Sequence, residues 1–251
     1  MISPEFFLNA PLTFKKGIEI YPPTINDIVK NKAFSQYRSV LLLSQEEIED
    51  ELINKTDEKG QPVPIPTPLE YLMSTCYYNR AFERQIKEVF QVFLHQTITF
   101  IYGDKKILIG DLEELIKVIK STDELVFITE EEYFNFQNKL RESLGEKPIE
   151  PPDPDEDPRV KRIKAKARYR DKIKAKKGMG LDLGTSLSTI CCMNLGITPL
   201  NVGELSYVAF KSLIDYYQEK EKYKLDIDMI LAGGNSKKKK IKPKYWIRKL
   251  D

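Results

Sequence analysis

The sequence contains few residues of the types that most often build metal and redox sites. It has one histidine and three cysteines in 251 residues. The histidine, His95, has no second histidine with which to form a metal site, and its position after Phe93 and Leu94 favours a structural role. Two cysteines, Cys191 and Cys192, are adjacent and lack the C-x-x-C spacing with which two thiolates reach one tetrahedral ion. The sequence therefore predicts no metal site and no disulfide framework.

Signatures of catalysis and of membrane insertion are absent as well. The chain contains no G-x-S-x-G, Walker, H-E-x-x-H or calcium-loop motif. Its first residues are not a basic segment followed by an apolar one, and no run approaches the roughly 18 apolar residues that span a membrane. With reduced cysteines, these absences indicate a soluble cytoplasmic protein. We expect a binding protein that uses no cofactor, rather than an enzyme.

Charge is distributed unequally along the chain. The net charge is +2. Residues 1–158 carry 17 Lys and Arg against 29 Asp and Glu, which gives −12, while residues 159–251 carry 23 against 9, which gives +14. Such asymmetry informs on partners and solubility rather than on fold.

Composition divides the chain into four parts. Residues 147–158 contain five prolines and five acids, a composition that predicts an extended linker. Before it lies a predicted mixed α/β domain, residues 1–146. After it come a predicted basic helix, residues 159–177, and a helical C-terminal module with a basic tail, residues 178–251. The predicted fold class is α+β, mainly helical, with short β-hairpins in the N-terminal domain.

Local signals place the elements of the N-terminal domain. Alternating apolar residues predict two hairpins, over Leu12–Tyr21 and over Ile98–Ile109. Leu125–Ile128 fits either a strand or a helix-to-helix connection. Thr24 opens a helix with Ile25, Ile28 and Val29 on one face. Further helices begin at capping boxes, in which a Thr or Ser and a Glu three residues later bond each other's backbone N–H groups. These boxes are Ser44 with Glu47, Thr67 with Glu70, and Thr129 with Glu132. Asp111 predicts another helix start, for a helix that runs to Ile119.

The basic segment 159–177 carries eleven cations and one acid, Asp171. Its apolar positions are too few for a buried face, so a solvated or ligand-covered helix is predicted. Three interpretations stay open: nucleic-acid binding by phosphate neutralisation, pairing with an acidic protein surface or with the chain's own acidic domain, and simple solvation. The candidate residues are Arg159, Lys161, Arg162, Lys164, Lys166, Arg168, Arg170, Lys172, Lys174, Lys176 and Lys177.

The C-terminal module is predicted to contain a short helix over Thr185–Leu195 and a long helix from Leu205. A further helical stretch ends at Gly233 and Gly234. The only tryptophan lies five residues before the end of the sequence. A large aromatic residue there either packs onto the core or contacts a partner. The candidate partner-binding residues are Leu205, Val208, Leu213, Tyr216, Tyr245, Trp246 and Ile247.

The C-terminal part, roughly the last 90 residues, resembles the helical region of phage tail assembly chaperone-like proteins. The similarity includes an E-L-S-Y helix start, an L-A-G turn and a lysine-rich tail. It is carried by 161–177, Thr189–Met193, Leu205–Phe210, Tyr217–Tyr223 and Lys244–Arg248.

The resemblance implies a phage morphogenesis protein. The tail assembly chaperone-like proteins bind the long tape-measure protein during tail assembly and help to recruit tail-tube subunits. It therefore implies a tape-measure or tail-tube protein as partner and the infected bacterial cytoplasm as location. A neck or tail component of the virion is the alternative. The N-terminal domain is larger here than is usual in that group.

Overall fold

The computed structural model describes residues 4–52, 63–110, 113, 125–151, 155–157, 159–160, 163–168, 170, 183–193, 196–232 and 243. Within these residues the fold is α+β and mainly helical, with two small antiparallel sheets, which confirms the predicted class. In this part of the chain no helix has the length and apolar character needed to cross a membrane.

The chain begins with a short helix and a hairpin. Helix α1 spans Pro4–Phe7, and strands β1, Leu12–Lys15, and β2, Ile18–Ile20, pair antiparallel. Gly17 in the turn has φ +84°, a conformation that glycine adopts without steric cost. The first predicted hairpin is thus confirmed.

Three helices follow: α2, Ile25–Lys30; α3, Lys32–Leu41; and α4, Gln45–Leu52. The predicted helix start at Thr24 is present, and its hydroxyl accepts from the backbone of Asp27. The apolar face predicted for this helix was wrong for one of its three residues, Val29. Ile25 and Ile28 are buried, but the Val29 side chain is 56% exposed because its position turns away from the core.

The central helical pair consists of α5, Pro68–Tyr78, and α6, Arg80–Leu94. The Thr67–Glu70 capping box begins α5, as predicted. Asn79 separates the two helices and caps α6 through its side-chain oxygen, which accepts from the backbone N–H of Phe82. The second sheet comes next.

The second sheet has three antiparallel strands, in the order β3, Ile98–Ile101, then β4, Lys106–Ile109, then β5, Phe127–Ile128. The hairpin of β3 and β4 was predicted. The alternative left open at Leu125–Ile128 is resolved as a strand. Helix α7 then spans Glu130–Ser143 and begins with its predicted capping box.

The described C-terminal elements are α8, Leu183–Cys191, a 3₁₀ turn, Val202–Glu204, and α9, Tyr207–Leu231. Helix α8 starts earlier than predicted, so Gly184 lies inside the helix rather than before it. The two predicted C-terminal stretches are one continuous helix, because no glycine or proline interrupts the sequence before residue 232.

The described elements bury two apolar clusters. The larger one is built from α3, α5, α6, α7 and both sheets, and includes Phe90, Phe93 and Phe136, but also Val208 of α9. The smaller cluster lies between α2, α8 and α9, and its buried members are Ile25, Ile190, Val202, Phe210 and Ile214. Residues assigned to the N-terminal domain and to the C-terminal module therefore share both clusters. The four domain boundaries themselves remain predictions, and the helix predicted from Asp111 lies outside the described residues except for Glu113.

Candidate binding surfaces

Helix α9 is fixed at its N-terminal end by backbone hydrogen bonds to the segment before α2. The N–H of Tyr207 donates to the carbonyl of Pro23 at 2.7 Å, and the N–H of Ile25 donates to that of Leu205 at 3.0 Å. The hydroxyl of Ser206 caps the helix by accepting from Ala209 N–H. These bonds dock the start of α9 against the N-terminal domain.

One face of the first two turns of α9 is buried, whereas the second half of the helix exposes apolar side chains. Val208 is fully buried, and Phe210 and Ile214 are nearly so. Leu225 is 60% exposed, Met229 46% and Leu231 79%. One helix thus serves the core at one end and presents apolar surface at the other.

The exposed apolar residues occupy two sides of the distal helix. At 100° per residue, Leu225 and Met229 share one side, while Tyr216 and Leu231 lie on roughly the opposite side. A helix with apolar residues on more than one side is typically covered by more than one neighbour.

The predicted partner-binding residues divide between these two regions. Leu205 and Leu213 are partly buried against the smaller apolar cluster, and Val208 belongs to the larger one. These three stabilise the protein's own fold. Tyr216 is 38% exposed and is the one of the described candidates that is open to a partner. The remaining candidates, Tyr245, Trp246 and Ile247, lie outside the described residues.

The basic segment contacts the acidic helix α4. The Arg168 guanidinium forms an ion pair with Glu46, and its Nε and Nη2 donate to one oxygen of Asp50 at 3.1 and 2.9 Å. Glu46 and Asp50 are four residues apart, so their carboxylates extend from the same side of α4. The Arg168 side chain is 23% exposed. Arg168 is therefore largely enclosed by its acidic partners.

Lys164 makes a second contact of this kind, one helical turn before Arg168. Its ammonium forms an ion pair with Glu156 of the acidic linker. The pKa of Lys164 is raised, chiefly by this hydrogen bond, with smaller contributions from the charges of Glu46 and Glu150. The linker and α4 thus supply negative charge to the same side of the basic segment.

Other members of the basic segment point to solvent. Arg159, Lys166 and Arg170 are exposed, and no ion pair of theirs is present among the residues that the structure describes. The rest of the candidates lie outside those residues: Lys161, Arg162, Lys172, Lys174, Lys176 and Lys177.

The amino-acid sequence alone did not predict α4 as a contact site. Five of its eight residues are acidic, and one of its two apolar residues, Ile48, is buried. The spacing of four residues between Glu46 and Asp50 was the available signal. This spacing does not indicate that Arg168, more than a hundred residues away in the sequence, lies next to the two carboxylates.

The residues considered for metal or redox chemistry have structural surroundings. The imidazole of His95 stacks on the ring of Tyr21, with 4.0 Å between centroids. Cys191 packs against the smaller apolar cluster, while Cys192 is exposed. Burial raises the pKa of the Cys76 thiol to about 12. Among the described residues no group of three or more metal-ligating side chains is present.

Comparison with protein families gives a match in the C-terminal region. A family model described as the second domain of YomV matches residues 172–251, a range that contains α8 and α9. No curated protein and no solved structure shows significant similarity to this chain. The matched family is phage-derived, so the similarity is consistent with a phage protein and does not specify a role in tail assembly. In its C-terminal region, the chain is similar to a phage-derived YomV domain.

Proposed function

We propose that this protein is a phage morphogenesis protein that acts by protein–protein binding, as an assembly chaperone for the tape-measure protein. The observation that carries the proposal is the division of α9. One face of its first turns is buried in the core, while its distal half exposes Leu225, Met229 and Leu231. A rigidly anchored helix with an apolar end is suited to binding an apolar segment of a client.

Charge and shape support a helical client. Apolar side chains on two sides of distal α9 provide contact surfaces for client helices, which pack by interdigitating apolar side chains. The charged residues between them, such as Lys222 and Lys224, keep the free protein and the complex in solution. The similarity of residues 172–251 to a phage-derived domain and the resemblance to tail assembly chaperones agree with this role.

Co-expression with the tape-measure protein of the same phage tests the proposal. The wild-type chain should increase the soluble fraction of that client. The double variant L225S/M229S removes apolar surface from distal α9 and should lose most of this effect. Because α9 contributes Val208 to the core, point variants are a cleaner test than removal of the C-terminal region.

A matched control uses exposed apolar residues outside distal α9. Val29 is 56% exposed and Leu200 95%, so V29S/L200S removes at least as much exposed apolar surface from other elements. This variant should solubilise the client as the wild type does. Equal client solubility with wild type and L225S/M229S would overturn the proposal. If purified virions contain stoichiometric amounts of the protein, a structural role in the virion would be indicated instead of a chaperone role.

A further inference from the structure

We propose that the cations described within residues 159–170 form a contact surface for nucleic-acid phosphates and that helix α4 limits this surface by pairing with part of it. The described residues of this segment are helical. Their cations fall on two sides that have different surroundings. One side is paired with carboxylates of the same chain, and the other is open to solvent.

The paired side contains Lys164 and Arg168, which are four residues apart. Lys164 bonds Glu156 of the linker, and Arg168 bonds Glu46 and Asp50 of α4. These contacts use the chemistry by which an acidic protein surface would recognise the segment. The acidic partner of this side is therefore already present within the chain.

The open side contains Arg159, Lys166 and Arg170. At 100° per residue these three lie within about 40° of one another and about 120° to 160° away from Lys164. Their side chains are exposed. A row of exposed cations along a helix suits the regularly spaced phosphates of a nucleic-acid backbone, which are recognised by charge rather than by shape.

The ion pairs to α4 are weak enough to be exchanged. They are only partly buried, with 23% of the Arg168 side chain and 35% of the Asp50 side chain exposed, so salt screens them in part. Phosphates can replace the carboxylates of Glu46 and Asp50 on Arg168, because a guanidinium binds both groups with the same geometry. Helix α4 thereby competes with nucleic acid for Arg168, as Glu156 of the linker does for Lys164, and both contacts lower the number of phosphates that the segment binds.

Binding of a 20-base-pair duplex DNA, followed by fluorescence anisotropy over a series of salt concentrations, tests the open side. Each phosphate contact contributes about 0.9 to the slope of log K against log salt. The variant R159Q/K166Q/R170Q should lower the slope by up to about 3. The control K16Q/K30Q/K224Q removes the same charge from exposed lysines elsewhere and should leave the slope near that of wild type.

The competition is tested by removing the carboxylates. The variant E46Q/D50N should bind the same DNA several-fold more tightly and steepen the slope by up to about 1, because Arg168 becomes available while Lys164 stays paired with Glu156. In the background K164Q/R168Q, the same two changes should leave the slope unchanged. A general effect of lost negative charge would instead act in both backgrounds.

A second control distinguishes position from charge. D104N/E131Q also removes two exposed carboxylates, neither of which contacts the basic segment among the described residues, and it should leave the slope unchanged. Absence of DNA binding at low salt would overturn the proposal, as would an equal loss of slope in the lysine control. Binding to polyglutamate without binding to DNA would assign the surface to an acidic protein instead.

Discussion

The burial of Val208 leads to a prediction that separates folding from partner binding. Val208 was a candidate partner-binding residue by sequence, but its side chain is fully buried in the larger apolar cluster. Replacing Val208 with alanine removes two buried carbon atoms. At about 0.8 kcal/mol for each, with a cavity term added, V208A should lower the free energy of unfolding by about 2 kcal/mol.

The matched substitution is L225A, on the same helix but at a position that is 60% exposed. It removes more atoms, yet it should change the free energy of unfolding by less than about 0.5 kcal/mol, because those atoms are already in contact with water. Urea denaturation, followed by the helical circular dichroism signal, measures both values. The denaturant slope should be unchanged in each variant, since the folded state keeps its compactness.

Binding of the client provides the second half of this test. V208A should bind the tape-measure protein as well as wild type does, per folded molecule, whereas L225S/M229S should not. A V208A variant within about 0.5 kcal/mol of wild type would refute the packing of α9 on the N-terminal domain, and with it the anchored-helix argument.

Three further predictions concern the N-terminal domain and the cysteines. Gly17 has φ +84°, so G17A should destabilise the protein by about 1–2 kcal/mol, as measured by thermal unfolding. The Lys105 ammonium, which donates to Glu70, holds the pKa of Glu70 below its usual range. The stability that the Glu70 carboxylate contributes is therefore present above its unfolded-state pKa and is lost as the pH falls through the lower folded-state pKa. The variant E70Q should remove this part of the acid dependence of the free energy of unfolding, which urea titrations at several pH values measure. Iodoacetamide should label Cys192 rapidly in the native protein and leave Cys76 unlabelled, because Cys76 is buried and its thiol pKa is raised to about 12. Mass spectrometry measures the labelling of each cysteine, and rapid labelling of Cys76 would contradict this prediction.

Several elements could be read from the sequence because their causes are local. The box of Thr67 and Glu70 needs two side chains three residues apart, and both bond backbone groups of the same turn. The hairpin of β3 and β4 is likewise set by alternation and by a short turn. In such cases the interacting groups are within a few residues, so tertiary structure has little influence on them.

The two candidate surfaces show what the sequence alone left open. The amino-acid sequence by itself determined that the chain is divided by charge, that residues 159–177 are strongly basic and that a long helix follows. Only the tertiary structure decided that Val208 is buried while Leu225 is exposed, and that Arg168 meets Glu46 and Asp50. Apolar patterning shows which residues can be buried, and charge shows which can pair, but the partner in each case is fixed by packing between segments that are distant in the sequence.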